Sequence, residues 1–133
     1  LYYPAASPDE LRTRCAAHTD YGTMTLLLQD GEAGLEVLCP ETGAWVPAPD
    51  VPGTVLVNVG DLMEVWSGGV LRATQHRVLM SPRAARFPRQ SIAYFVHPDS
   101  QTVVEPASVG HGMRGVVAAE WAQKRFRETY GGA

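Results

Sequence analysis

Ala17-His18-Thr19-Asp20-Tyr21-Gly22 is the stretch around which the chain is best read, together with one distant histidine in Thr74-Gln75-His76-Arg77-Val78. His18 and Asp20 stand two positions apart. On a strand, residues i and i+2 point to the same face; on a helix they would lie about 200° apart and could share no ligand. The spacing therefore predicts a strand. An imidazole and a carboxylate side by side, with a second imidazole from a strand elsewhere, would offer two nitrogens and one oxygen to one side of a metal. The opposite coordination positions would stay open.

Composition bounds the setting. The chain of 133 residues is read as one domain, 1–133, large enough for a real core. A formal charge of −3 gives no electrostatic footprint for nucleic acid or an anionic membrane. No apolar run approaches the ~18 residues needed to span a bilayer. Cys15 and Cys39 are too few for a disulfide framework and suit a reducing, cytoplasmic location. The opening Leu1-Tyr2-Tyr3-Pro4 lacks an initiator methionine, and the expectation is a C-terminal part of a longer protein.

Taken in order, Ser7-Pro8-Asp9-Glu10 reads as a polar loop and Arg12 to His18 as a strand, with a turn at Tyr21-Gly22. Thr23 to Gln29 is a buried strand, and Leu35–Leu38 with Ala44–Pro47 form a hairpin around Pro40-Glu41-Thr42-Gly43. Thr54 to Val59 is the strongest β run. Asp61 is placed to cap a short helix through Trp66, ended by Ser67-Gly68-Gly69. Ala73–Met80 and Arg89–Val96 are strands, Ser81–Pro88 is a loop, and Thr102–Glu105 is a last short strand. Ala118 to Tyr130 carries the one sustained helical pattern, with Trp121, Arg125 or Phe126, and Tyr130 on one face. Many short strands and one closing helix predict a mainly β fold, an antiparallel sandwich or barrel.

Two imidazoles and a carboxylate with open positions are the facial triad of non-haem Fe(II) oxygenases. A lone His-x-Asp is common on surface strands, and Arg89 alone would read as a surface arginine. Arg89-Gln90-Ser91 changes the balance. Arg89 and Ser91 share a strand face, and a guanidinium fork beside a hydroxyl is a receptor for a carboxylate. Other polar residues take plainer readings. Arg77 must face away from His76 as an outer structural charge; His97 and His111 are loop histidines; Asn58 and Asp61 serve the backbone or the helix start. Trp45, Trp66 and Trp121 read as packing, Leu26, Leu28 and Val78 as apolar walls, and Cys15 has no catalytic role.

The collinear series Tyr2-Tyr3-Pro4, His18-Thr19-Asp20-Tyr21-Gly22, Leu26-Leu27-Leu28-Gln29-Asp30, Gly34-Leu35-Glu36-Val37, Pro52-Gly53-Thr54, Val57-Asn58-Val59-Gly60-Asp61, Thr74-Gln75-His76-Arg77-Val78 and Arg89-Gln90-Ser91-Ile92 resembles the C-terminal catalytic domain of the isopenicillin N synthase-like, 2-oxoglutarate-dependent Fe(II) oxygenases. The closing Arg125-Phe126-Arg127-Glu128-Thr129-Tyr130 fits the same likeness. The resemblance implies a double-stranded β-helix (jelly roll) with a C-terminal helix, without that family's N-terminal helical region. It implies His18, Asp20 and His76 as iron ligands. It implies Arg89, Ser91 and Tyr3 at the distal carboxylate of 2-oxoglutarate, with O₂ as the oxidant. A small organic molecule would be hydroxylated, desaturated or cyclised. One rival reading is an isopenicillin N synthase-like oxidase in which the Arg-x-Ser pair holds a substrate carboxylate and 2-oxoglutarate is not used. The other is a non-catalytic jelly roll that binds a ligand or a structural metal. A missing N-terminal region or a partner chain is expected to cover the apolar sheet.

Overall fold

The computed structural model describes residues 1–5, 13–80, 86–107 and 114–131. The Ser7–Glu10 loop, Arg12, residues 81–85 of the Arg- and Pro-rich loop, His111 and the side chain of Tyr130 lie outside the described residues. The elements in chain order are β1 (Tyr2–Tyr3), β2 (Cys15–His18), β3 (Met24–Gln29), β4 (Leu35–Leu38), β5 (Trp45–Pro47), β6 (Leu56–Val59), α1 (Asp61–Trp66), β7 (His76–Val78), β8 (Arg89–Val96), β9 (Val103–Val104), β10 (Val116–Val117) and α2 (Ala118–Tyr130). They form sheets of order β1-β8-β3-β6 and β2-β7-β4-β5, with β10 paired to β9. The β1–β8, β2–β7, β4–β7, β4–β5 and β9–β10 pairs are antiparallel.

Two compact units divide the described chain. One comprises Leu1–Thr19, Leu26–Val57 and Thr74–Tyr94. Its core is Leu27, Leu35 and Val78, with Cys15, Ala48, Leu56 and Ala93 packed against them. Alternation along β3 buries Thr25 and Leu27 and exposes Leu28. Leu28 is therefore not the expected apolar wall; its neighbour Leu27 fills the core. With Tyr2, Val57, Ile92 and Tyr94, Leu28 belongs to the large apolar side chains left exposed in this unit. Arg77 behaves as an outer structural charge: it pairs with Glu36 at 2.7 Å and lies 4.1 Å from the centre of the Trp45 ring.

The other unit comprises Asp20–Thr25, Asn58–Ala73 and Phe95–Ala133, around Leu62, Val65, Val104 and Ala118 with Val116 and Trp121. On α2 the half-buried positions are Ala119, Trp121, Ala122 and Arg125, whereas Phe126 is exposed. The two candidates for that position are thereby separated, and the polar one faces inward. Trp66, expected to pack, is half exposed.

β6 and β7 are among the strands that are shorter than the stretches expected from the sequence. β6 begins at Leu56 because the Thr54 amide and hydroxyl both donate to the Val51 carbonyl, at 3.1 and 2.7 Å, closing the Pro52-Gly53 turn. β7 begins at His76, and the Ala73 amide instead donates to Glu64 Oε2 at 2.7 Å. Asp61 does not cap α1 with its side chain. Gly60 is the N-cap residue and no side-chain cap bond forms.

Candidate active site

Each candidate histidine ligand sits at the end of a strand. His18 is the last residue of β2 and His76 the first of β7, and they face each other in register. Cys15 pairs with Val78 and His18 with His76, so β2 holds one more residue between those partners than β7. That extra residue is a β-bulge, which re-aims the side chains beyond it. It also carries Cys15 Sγ to 3.8 Å from His18 Nδ1. The two imidazole centroids are 4.3 Å apart, tilted at 55°.

Backbone carbonyls fix both rings. His18 Nδ1 is 2.8 Å from the Ala16 carbonyl oxygen, and His76 Nδ1 is 3.2 Å from that of Thr74. A carbonyl only accepts, so each Nδ1 donates, which in a neutral ring leaves the lone pair on Nε2. That is the tautomer a metal-ligating histidine needs.

Asp20 reaches the cluster by a route other than the expected one. β2 ends at His18, so Asp20 is not on the same strand face two residues on; it lies in the following loop, almost fully buried. What holds it is backbone. The amides of Asp61 and Leu62, at the start of α1, donate to the carbonyls of Asp20 (2.8 Å) and Gly22 (3.0 Å), and the Gly60 amide donates to Thr23 (3.0 Å). These bonds satisfy helix-start donors that no side chain caps. This contact demands glycine at position 60, and a separate close approach to Val96 demands it at position 22. A Cβ on Gly60 would stand 2.2 Å from the Gly22 carbonyl oxygen, and one on Gly22 2.6 Å from that of Val96.

His18, Asp20 and His76 bring one ligand atom each to within 4.8 Å of one another. Two imidazole nitrogens in the ligating tautomer and one carboxylate oxygen form a donor set that fits Fe(II).

A second cluster is built on β8, β3 and β1. Arg89 is 1% exposed and Ser91 3%. Arg89 Nη1 donates to Ser91 Oγ at 3.2 Å and Nη2 to Gln29 Oε1 at 2.9 Å, while Nε is buried with no partner. Tyr3, opposite Arg89 in register, has its ring centre 5.7 Å from the guanidinium carbon. Burial is the main cause lowering the Arg89 pKa, opposed by Tyr3 and Asp30. Burial first, then Cys15, raises that of Tyr3 and keeps its hydroxyl a donor. A buried cation whose bonded partners are neutral, with one nitrogen left without a partner, is matched to an incoming anion. A carboxylate suits the planar fork best. Gln29 is absent from the residues singled out in the sequence. Its signal is positional: it continues the inward face of β3 after Thr25 and Leu27, where a polar side chain needs a reason.

Antiparallel strands ending in two imidazoles and a nearby carboxylate define a β scaffold whose donor set suits a divalent metal. The family model of the 2OG-Fe(II) oxygenase superfamily matches residues 1–98, and the chain belongs to that superfamily. It is 39% identical over 121 residues to a homoarginine-6-hydroxylase of Oryza sativa subsp. japonica, covering 87% of this chain and 36% of that protein. It is 45% identical over 107 residues to validamycin A dioxygenase of Streptomyces hygroscopicus subsp. limoneus, covering 77% of this chain and 29% of that one. The crystal structure of a full-length Neurospora crassa protein in complex with alpha-KG superposes with a TM-score of 0.85 at 33% identity, over 97% of this chain and 43% of that one. The chain thus spans less than half the length of these relatives. The fold is the jelly roll of the superfamily, whose cofactors are Fe(II) and 2-oxoglutarate, with O₂ as the usual cosubstrate.

Proposed function

We propose that residues 1–133 form the catalytic domain of an Fe(II)/2-oxoglutarate-dependent oxygenase that oxidises a small organic molecule. The observation that carries this is the His18–Asp20–His76 cluster, whose ligand atoms lie within 4.8 Å of one another. His18, Asp20 and His76 would hold the iron, which with 2-oxoglutarate and O₂ supplies the oxidising equivalent for removing a substrate hydrogen. The protein's own part is orientation. Carbonyl-anchored imidazoles present Nε2, and the α1 amides hold the Asp20 backbone. Arg89 and Ser91, with Gln29 bracing the guanidinium and Tyr3 beside it, would bind the distal carboxylate of 2-oxoglutarate.

The buried, incompletely paired Arg89 supports the 2-oxoglutarate reading over a jelly roll without an acid ligand. The names of the relatives support it over an oxidase that dispenses with that cosubstrate. A small-molecule substrate follows the same relatives: one hydroxylates homoarginine by name, another is named for validamycin A, and the Neurospora crassa protein has been crystallised with thymine. The thiols of Cys15 and Cys39 are free, in keeping with a cytoplasmic location. Among the described residues, no helix is long and apolar enough to cross a membrane.

The test is anaerobic titration of the Fe(II)-loaded protein with 2-oxoglutarate. A weak visible metal-to-ligand charge-transfer band that grows and saturates is the expected result. Iron uptake without the band would transfer the function to the oxidase that does without 2-oxoglutarate.

A further inference from the structure

α2 carries a polar side chain on its inward face. Arg125 Nε donates to Asp61 Oδ2 at 2.8 Å, and its Nη1 donates to Glu128 Oε2 at 2.8 Å. The guanidinium carbon lies 5.3 Å from the centre of the Tyr21 ring, and the Tyr21 hydroxyl bonds the Thr129 hydroxyl, which itself donates to the Arg125 carbonyl at 3.1 Å. Both Tyr21 and Asp61 adjoin Asp20. Tyr21 follows it in the chain, and Asp61 donates its backbone amide to the Asp20 carbonyl at 2.8 Å. Burial opposes the charge of Arg125, but the hydrogen bonds to Glu128 and Asp61 outweigh it and raise its pKa, so the clamp stays charged.

We propose that Arg125 is a positioning residue for the metal centre: through Asp61 and Tyr21, α2 sets where the Asp20 carboxylate stands. The inference rests on the metal reading above and adds a residue from the far end of the chain. A bidentate or stacked arginine is poorly replaced by other cations. Groups that orient a metal ligand from outside the coordination sphere typically control about 10–100-fold in metal affinity.

The experiment is titration of the purified protein and its variants with Co(II), read by its visible d–d absorption, with thermal melting alongside. Wild type should bind one equivalent. Arg125→Met should weaken Co(II) binding about tenfold and alter the d–d band, and Arg125→Lys should recover part of the affinity. Ala122→Gly weakens the same helix without touching the clamp; it should lower the melting temperature and leave Co(II) affinity unchanged. An Arg125→Met affinity within about twofold of wild type would overturn the inference, as would an equal loss in Ala122→Gly, which would reduce Arg125 to a helix anchor. Absence of Co(II) binding by wild type is a separate result: it overturns the metal reading and this inference with it.

Discussion

The Arg89 pocket and the Asp20 loop reach comparable precision by opposite means. Arg89 and Ser91 are placed by strand period alone: two residues apart on β8, both buried, with a hydrogen bond between them. Asp20 has no strand beneath it. Its position comes from three backbone hydrogen bonds between its loop and the start of α1, and from two glycines that let the backbones meet. The pocket depends on which side chains are present; the loop depends on which are absent. The two should therefore respond differently to mutation.

The largest effect is expected where the loop presents its one chemical group. Asp20→Ala should abolish 2-oxoglutarate-dependent oxygen uptake while leaving the thermal unfolding midpoint nearly in place; a variant with normal turnover would break the metal reading. Arg89→Leu comes next. Removing one partner of a buried charge interaction costs about 2–5 kcal/mol, so the 2-oxoglutarate concentration needed for half-maximal charge-transfer absorbance should rise about a hundredfold or more. Iron stoichiometry should stay unchanged, and an unaltered cosubstrate affinity would make Arg89 structural. Gly60→Ala sharpens the contrast, because it adds a methyl where only backbone fits. Overpacking of this kind costs about 1–3 kcal/mol, to be read by urea denaturation together with weakened metal binding. Stability and metal affinity equal to wild type would show that the loop does not depend on this contact. The smaller of the two effects on cosubstrate affinity belongs to Gln29→Leu. One hydrogen bond to a charged group is worth about 1.5–3 kcal/mol, so cosubstrate affinity should fall less than in Arg89→Leu, with iron binding intact.

The same contrast explains what could be read from the sequence. β8 runs from Arg89 to Val96 and α2 from Ala118 to Tyr130, as their patterns predict, because period two and period 3.6 are long enough there to be unambiguous. α1 spans Asp61–Trp66 as expected, but its start is satisfied from Gly60 and not by the Asp61 carboxylate. That carboxylate is held by Arg125, and no local pattern announces a partner 64 residues away. The strand spacing groups His18 with Asp20, and the structure brings the two together by a different local route. A bulge and a loop do what an uninterrupted strand is expected to do. β10, two residues long, is too short to carry any period. Gln29 is hard to see because a glutamine that ends an apolar run looks like a terminator, and only its inward register on β3 marks it as a bracket for Arg89.

The orphan Nε of Arg89 also bears on how long the protein survives. A ligand that binds only the folded chain stabilises it by RT ln(1 + [L]/Kd), about 2.7 kcal/mol at a hundred times Kd. An anion seated on that guanidinium would therefore act as a folding ligand as well as a reactant. A shift of that size changes the fraction of unfolded chain exposed to proteases roughly a hundredfold. Cosubstrate supply would then govern the lifetime of the protein as well as its rate.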